Sequence, residues 1–117
     1  MSTVSIRKTH GEDYASIKAV VDQVIADLGG LEDIIKPGFK VIIKPNLVAC
    51  PTERLSGGVT RWEVCLAIYE AVKAVGGVPV IAESSAAGAD TELTIAKCGY
   101  QELRDKGIPV IDLKQKE

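Results

Sequence analysis

The run Lys40-Val-Ile-Ile-Lys-Pro-Asn46 constrains this chain more than any other stretch. Three consecutive β-branched residues, Val41, Ile42 and Ile43, favour a strand buried on both faces, as in a parallel sheet. Lys44 closes the run. Pro45 then stops it, because proline has no N–H to give to the ladder. Parallel strands are joined by long crossovers, usually helical, so helix and strand should alternate along the rest of the chain.

They do. Residues 4–9 place Val4 and Ile6 on one face and predict a first strand. Apolar residues then recur at Tyr14, Ile17, Val20, Val21, Val24, Ile25 and Leu28, a helical stripe of period about 3.6. Asp13 is its expected N-cap and Gly29-Gly30 its stop. Pro37-Gly38 predicts a tight turn ahead of the second strand, residues 40–44. Residues 46–59 form a connection of about a dozen residues, a length more often functional than idle. Thr60 and Glu63 have capping-box spacing and open a helix over residues 61–75, ended by Gly76-Gly77. A third strand follows over residues 78–82, then a small-residue loop over 83–89. Asp90 or Thr91 caps a short helix that runs to Lys97. Residues 100–106 add another turn or two, and residues 109–113 form the fourth strand. The order β-α-β-α-β-α-β predicts one α/β domain over residues 1–117. Its expected form is a mainly parallel four-stranded sheet with helices on both faces, in Rossmann-like layers.

The bulk properties exclude several function classes. The chain has 117 residues, 46% hydrophobic, with a formal net charge of −2 and both signs interspersed. That is a globular composition without the basic stripe of a nucleic-acid binder. No run of about 18 apolar residues predicts a membrane span. The first residues lack the apolar core of a signal peptide, so a cytoplasmic location is expected. Cys50, Cys65 and Cys98 form no C-x-x-C pair, which argues against a zinc ribbon or an iron–sulfur run. They are expected to be reduced and mostly buried, and no metal site is predicted.

In open parallel sheets the ligand crevice lies beyond the carboxyl ends of the strands. The predicted ends bring Thr9 and His10, Lys44 and Asn46, then Glu83, Ser84 and Ser85, and finally Asp112 to one rim. Lys44 would meet an anion, and Asn46 would orient it with an amide that both donates and accepts. Glu83 would serve as a general base or a metal ligand, with the hydroxyls of Ser84 and Ser85 beside it. Gly57 and Gly58 would let backbone amides approach a ligand. Thr60 marks a helix start, whose free N–H groups favour anions. The expected ligand is an anionic small molecule, alone or with a metal. No reaction is specified, so catalysis stays open.

Plainer readings stand beside these. The Gly-Gly pair matches neither the P-loop nor the dinucleotide fingerprint and serves equally as a flexible loop. Lys44 and Asn46 could simply finish a strand, and Glu83 could be an exposed acid. His10, the only histidine, is expected to be a loop residue. Asp112 is expected to be structural, and Trp62 to pack the helix start. Two other functions remain open. One is a non-catalytic module that docks onto a redox partner. The other is a redox thiol at Cys50 beside Pro51.

Five segments, in order, resemble the domain of unknown function 362 family. They are Val41-Ile-Ile-Lys-Pro-Asn-Leu-Val48; Gly58-Val-Thr60 leading to Glu63-Val64; Val75-Gly-Gly-Val-Pro-Val-Ile-Ala-Glu-Ser-Ser85; Cys98-Gly-Tyr100 with Leu103; and Gly107-Ile-Pro-Val-Ile-Asp-Leu113. The likeness runs from about Val4 to Leu113. Many members carry Thr-Thr-His ahead of the helix at this point. Here the run is Gly58-Val59-Thr60-Arg61-Trp62, so only Thr60 carries over. Members are typically longer, and some add a ferredoxin-like segment that holds 4Fe–4S centres. The resemblance implies that this chain is the amino-terminal α/β part of a longer protein, associated with iron–sulfur redox proteins but holding no cluster itself. It also implies an exposed sheet surface that would contact the carboxyl-terminal part or a second copy. It implies no particular reaction or cofactor.

Overall fold

The computed structural model describes residues 2–49 and 57–115. Helix α1 spans Tyr14–Asp27. Asp13 caps it, its carboxylate accepting from the Ser16 amide at 3.1 Å and the Ser16 hydroxyl at 2.7 Å. Strand β1, Lys40–Ile43, is followed by helix α2, Trp62–Ala74, and strand β2, Val78–Glu83. Helix α3, Thr91–Lys97, is capped by the Asp90 side chain and leads into the short helix α4, Gln101–Asp105. Strand β3, Val110–Asp112, comes last.

The α2-to-β2 turn shows why two glycines stand there. Gly76 has φ +86°, a left-handed conformation that stops the helix at little cost to glycine alone. A Cβ on Gly77 would lie 2.7 Å from Val72 Cγ1 and 2.9 Å from Ile35 Cγ2. Both neighbours are buried and branched, so neither can move aside.

The three strands are parallel, in the order β1-β2-β3. Ile43 pairs with Ile81, and Ile81 with Val110, so one row crosses the sheet on its buried face. That row joins Leu47, Cys65, Leu66, Ile95, Tyr100 and Leu103 in a single core. Helix α2 packs on β1 and β2, and α1 packs on α2.

Two sequence expectations need correction. Among the described residues the sheet has three strands, not four. Residues 4–9 belong to no strand, and among the described residues none of their backbone groups bonds to another backbone group. Their polar alternate residues are held instead at the end of α1. Asp27 accepts from the Ser5 hydroxyl at 2.7 Å and twice from the Arg7 guanidinium at 2.8 Å. Val4 and Ile6 are left 80% and 88% exposed. Alternation makes a segment fit for a strand, but pairing also needs a free neighbour.

The second correction follows from the first: helices do not cover both faces. Right-handed crossovers that advance in one direction lay their helices on one face. The order β1-β2-β3 does this, and the core residues of α2, α3 and α4 sit in one cluster with Ile43, Ile81 and Val110. A strand on the far side of β1 would have reversed the direction and placed α1 on the other face. Without it, Ile42, Val78 and Ile111 stand on the opposite face, 66%, 56% and 46% exposed.

Candidate functional site at the strand ends

Pro45 ends β1, and the chain then crosses the rim of the sheet. Leu47 is fully buried and anchors this crossing in the core. The Leu47 amide donates to Glu83 Oε2 at 3.0 Å. The Ser84 amide donates to Glu83 Oε1 at 2.6 Å, and Lys44 Nζ stands 3.1 Å from the same oxygen. Glu83 is 2% exposed, whereas the Lys44 side chain is 63% exposed. Burial raises the Glu83 pKa, but the two amides and the Lys44 ammonium outweigh it and hold the carboxyl below its ordinary value. Glu83 is therefore an ionised, three-donor carboxylate that ties the end of β1 to the end of β2.

Asn46 and Thr60 bridge the two sides of the long loop. The Asn46 amide donates to Thr60 Oγ1, and the Thr60 amide donates to the Asn46 carbonyl, both at 3.0 Å. The Thr60 hydroxyl thus serves the loop and not the helix. The N-cap of α2 is Arg61, with no side-chain cap bond, which corrects the capping box. Glu63 reaches Arg61 instead, at 3.1 and 3.3 Å. Its carboxylate already lies at the positive end of α2. Below, the Tyr100 hydroxyl donates to the Thr60 carbonyl at 2.8 Å and lies 3.3 Å from Cys65 Sγ. Burial pushes the Cys65 thiol pKa up.

The remaining residues divide. Gly57 and Gly58 are exposed on the returning side of the loop, Gly57 with φ +82°. Ser84 is exposed. Ser85 is buried, 2.8 Å from Thr91 Oγ1 at the start of α3. Asp112 pairs in register with Glu83 and accepts the Lys114 amide at 2.8 Å. Trp62 is half-buried against the core. Thr9 lies beside Ile17 and Val20 of α1 and Arg61 and Val64 at the start of α2, and His10 lies beside Ala15, Ser16 and Ala19 of α1. Cys50, Pro51 and Ser56 lie outside the described residues.

Lys114 was not anticipated at this rim. Its ammonium donates to Ser85 Oγ at 3.1 Å and to the carbonyls of Ala86 and Ala89 at 2.7 and 2.9 Å. The available signal was its place: a cation two residues past a parallel strand falls on the same rim as the other strand ends. Among the described residues, no group of three or more His, Cys, Asp and Glu could hold a metal.

Comparison with known proteins places the chain. The family described as Domain of unknown function (DUF362) matches residues 41–117, and the chain belongs to it. The chain is also similar to a thylakoid-associated protein of Synechocystis sp., 28% identical over 116 residues. That match covers 97% of this chain and 35% of the relative, so the chain spans about a third of that protein's length. No solved structure matches. No helix among the described residues is long and apolar enough to cross a membrane.

Proposed function

We propose that this DUF362 member is a docking domain, whose uncovered sheet face receives another folded polypeptide. The observation that carries the reading is the face formed by Ile42, Val78 and Ile111, each at least 46% exposed. Parallel sheets are normally covered on both sides. A bare apolar face on one marks an interaction surface. The strand order supports the same reading. Ligand crevices in such sheets form where the strand order reverses, and the described strands do not reverse. Glu83, Thr60 and Ser85 hold the domain's own loops together.

In a protein of the relative's length, further chain is available to cover this face. A partner bearing an iron–sulfur centre, in a cytoplasmic setting, is the form that the family resemblance favours. The test is an apolar fluorescent dye added to dilute protein. Dye binding that disappears in Ile42→Asp supports docking; no binding to the wild type removes it.

A second reading keeps the rim as an anion site. The exposed Lys44 ammonium would meet the anion and the exposed Asn46 would orient it, with Gly57, Gly58, Thr60 and Ser84 lining the approach. Ser85 would support the loop, and Glu83 would act as base only after losing Lys44. Thermal shift with inorganic phosphate, nucleotides and magnesium tests this. Equal responses from wild type and Lys44→Ala would exclude it.

A further inference from the structure

We infer that the groove between the amino-terminal segment, α1 and α2 is a binding site for a short aliphatic carboxylate. It lies on the helical side of the sheet, opposite Ile42 and Ile111, so the inference stands apart from the docking reading.

Residues 4–9 run beside the α1–α2 pair, and the segment is fastened at two points. Ser5 and Arg7 hold Asp27 in the last turn of α1. Arg61, the N-cap of α2, donates to the Glu12 carbonyl at 2.9 Å. A groove of about 200 Å³ stays open beside the segment. Its floor is Ile17, Val20 and Val21 of α1 with Val64 of α2. Only Ile17 of these four is buried, so the floor offers an accessible aliphatic surface. All four are β-branched and have little rotamer freedom with which to close the space.

The charge in the lining selects the ligand. Arg7 and Arg61 both line the groove, whereas the acids that pair with them, Asp27 and Glu63, do not. Each guanidinium commits its Nε and Nη2, and each Nη1 has no partner among the described residues. The paired acids therefore fix the direction of the guanidinium and leave a donor over. The Thr9 hydroxyl is already given to the Gly11 carbonyl at 2.6 Å, so the arginines are the donors that remain. Two oriented cations beside an aliphatic floor suit a carboxylate with an apolar tail. No acid lines the groove, so a cationic ligand finds no counter-charge there. A cavity of about 150 Å³ holds benzene, so this one suits about eight non-hydrogen atoms, the size of hexanoate.

The experiment adds hexanoate to the full chain and follows the methyl resonances of Ile17, Val20, Val21 and Val64. Saturable shifts are expected at these four, with Ile43 and Ile81 unmoved. Acetate lacks the tail and hexylammonium reverses the charge, so neither should shift them. Hexanol keeps the tail without the charge and should bind at least about tenfold more weakly than hexanoate. Arg61→Gln should weaken hexanoate and leave hexanol unchanged, and Arg61→Lys should recover part of the loss. Circular dichroism checks that both variants fold. If Arg61→Gln does not fold, the comparison of hexanoate with hexanol in the wild type decides alone. No saturable shift at the four methyls overturns the inference. So does hexanol binding as tightly as hexanoate, or a folded Arg61→Gln that binds hexanoate like the wild type. Shifts confined to Ile42 and Ile111 would discard the groove and leave the docking face standing.

Discussion

Lys44 Nζ lies 3.1 Å from Glu83 Oε1, joining an exposed cation at the end of β1 to a buried acid at the end of β2. The two partners are not equivalent. Lys44 can turn to water, but Glu83 also holds the amides of Leu47 and Ser84. Glu83→Ala would leave a buried amide without its acceptor and should cost about 2–4 kcal/mol. Lys44→Ala should cost less than about 1 kcal/mol, as exposed ion pairs do. Urea denaturation of both variants checks the ranking. Equal losses would mean that the ion pair, and not the amides, holds the latch.

The same latch predicts a pH dependence. The folded pKa of Glu83 is depressed below 4.5. Its contribution is therefore complete above the unfolded value and is lost as pH falls through the folded value. The stability gap between wild type and Glu83→Gln should be constant near neutrality and close under acid conditions. Denaturation midpoints measured across that range would show it.

Asp27 should behave similarly at the other end of the molecule. Hydrogen bonds from Arg7 and then Ser5 hold its carboxyl at about 2, against an ordinary 3.8. The tether of residues 4–9 should persist above 3.8 and release as pH falls toward about 2. Carboxyl-carbon shifts of Asp27, followed alongside the Val4 and Ile6 methyls, would report both events together.

Thr60→Val separates the loop role from the cap role. The structure gives Thr60 Oγ1 to the Asn46 amide, not to α2. Hydrogen exchange should therefore quicken at Asn46 and leave the first turn of α2 unchanged, at a cost of about 1 kcal/mol. Faster exchange confined to the start of α2 would restore the capping box.

Much of this arrangement was legible in the chain. Asp13 and Asp90 announce their helices because a short carboxylate before an apolar stripe has few better uses. Lys44-Pro45-Asn46 announces a strand end because proline cannot continue a ladder. Long-range choices were not legible. Residues 4–9 carry a correct alternation, yet Asp27 draws Ser5 and Arg7 to α1, and nothing local reveals that competition. Thr60 and Glu63 have the right spacing for a cap, but Asn46 and Arg61 claim them through the fold. Lys114 gains its place only because the sheet brings the Ala86 and Ala89 carbonyls within its reach. The bare face follows from strand order, which the sequence of elements does not specify.

The most direct measurement is the isoleucine methyl spectrum of the chain on addition of an apolar dye. Ile42 and Ile111 report the uncovered face, while Ile43, Ile81 and Ile95 report the core. The account predicts that the dye shifts the first pair and leaves the core three in place. Shifts spread evenly over all five, or none at Ile42 and Ile111, would contradict it.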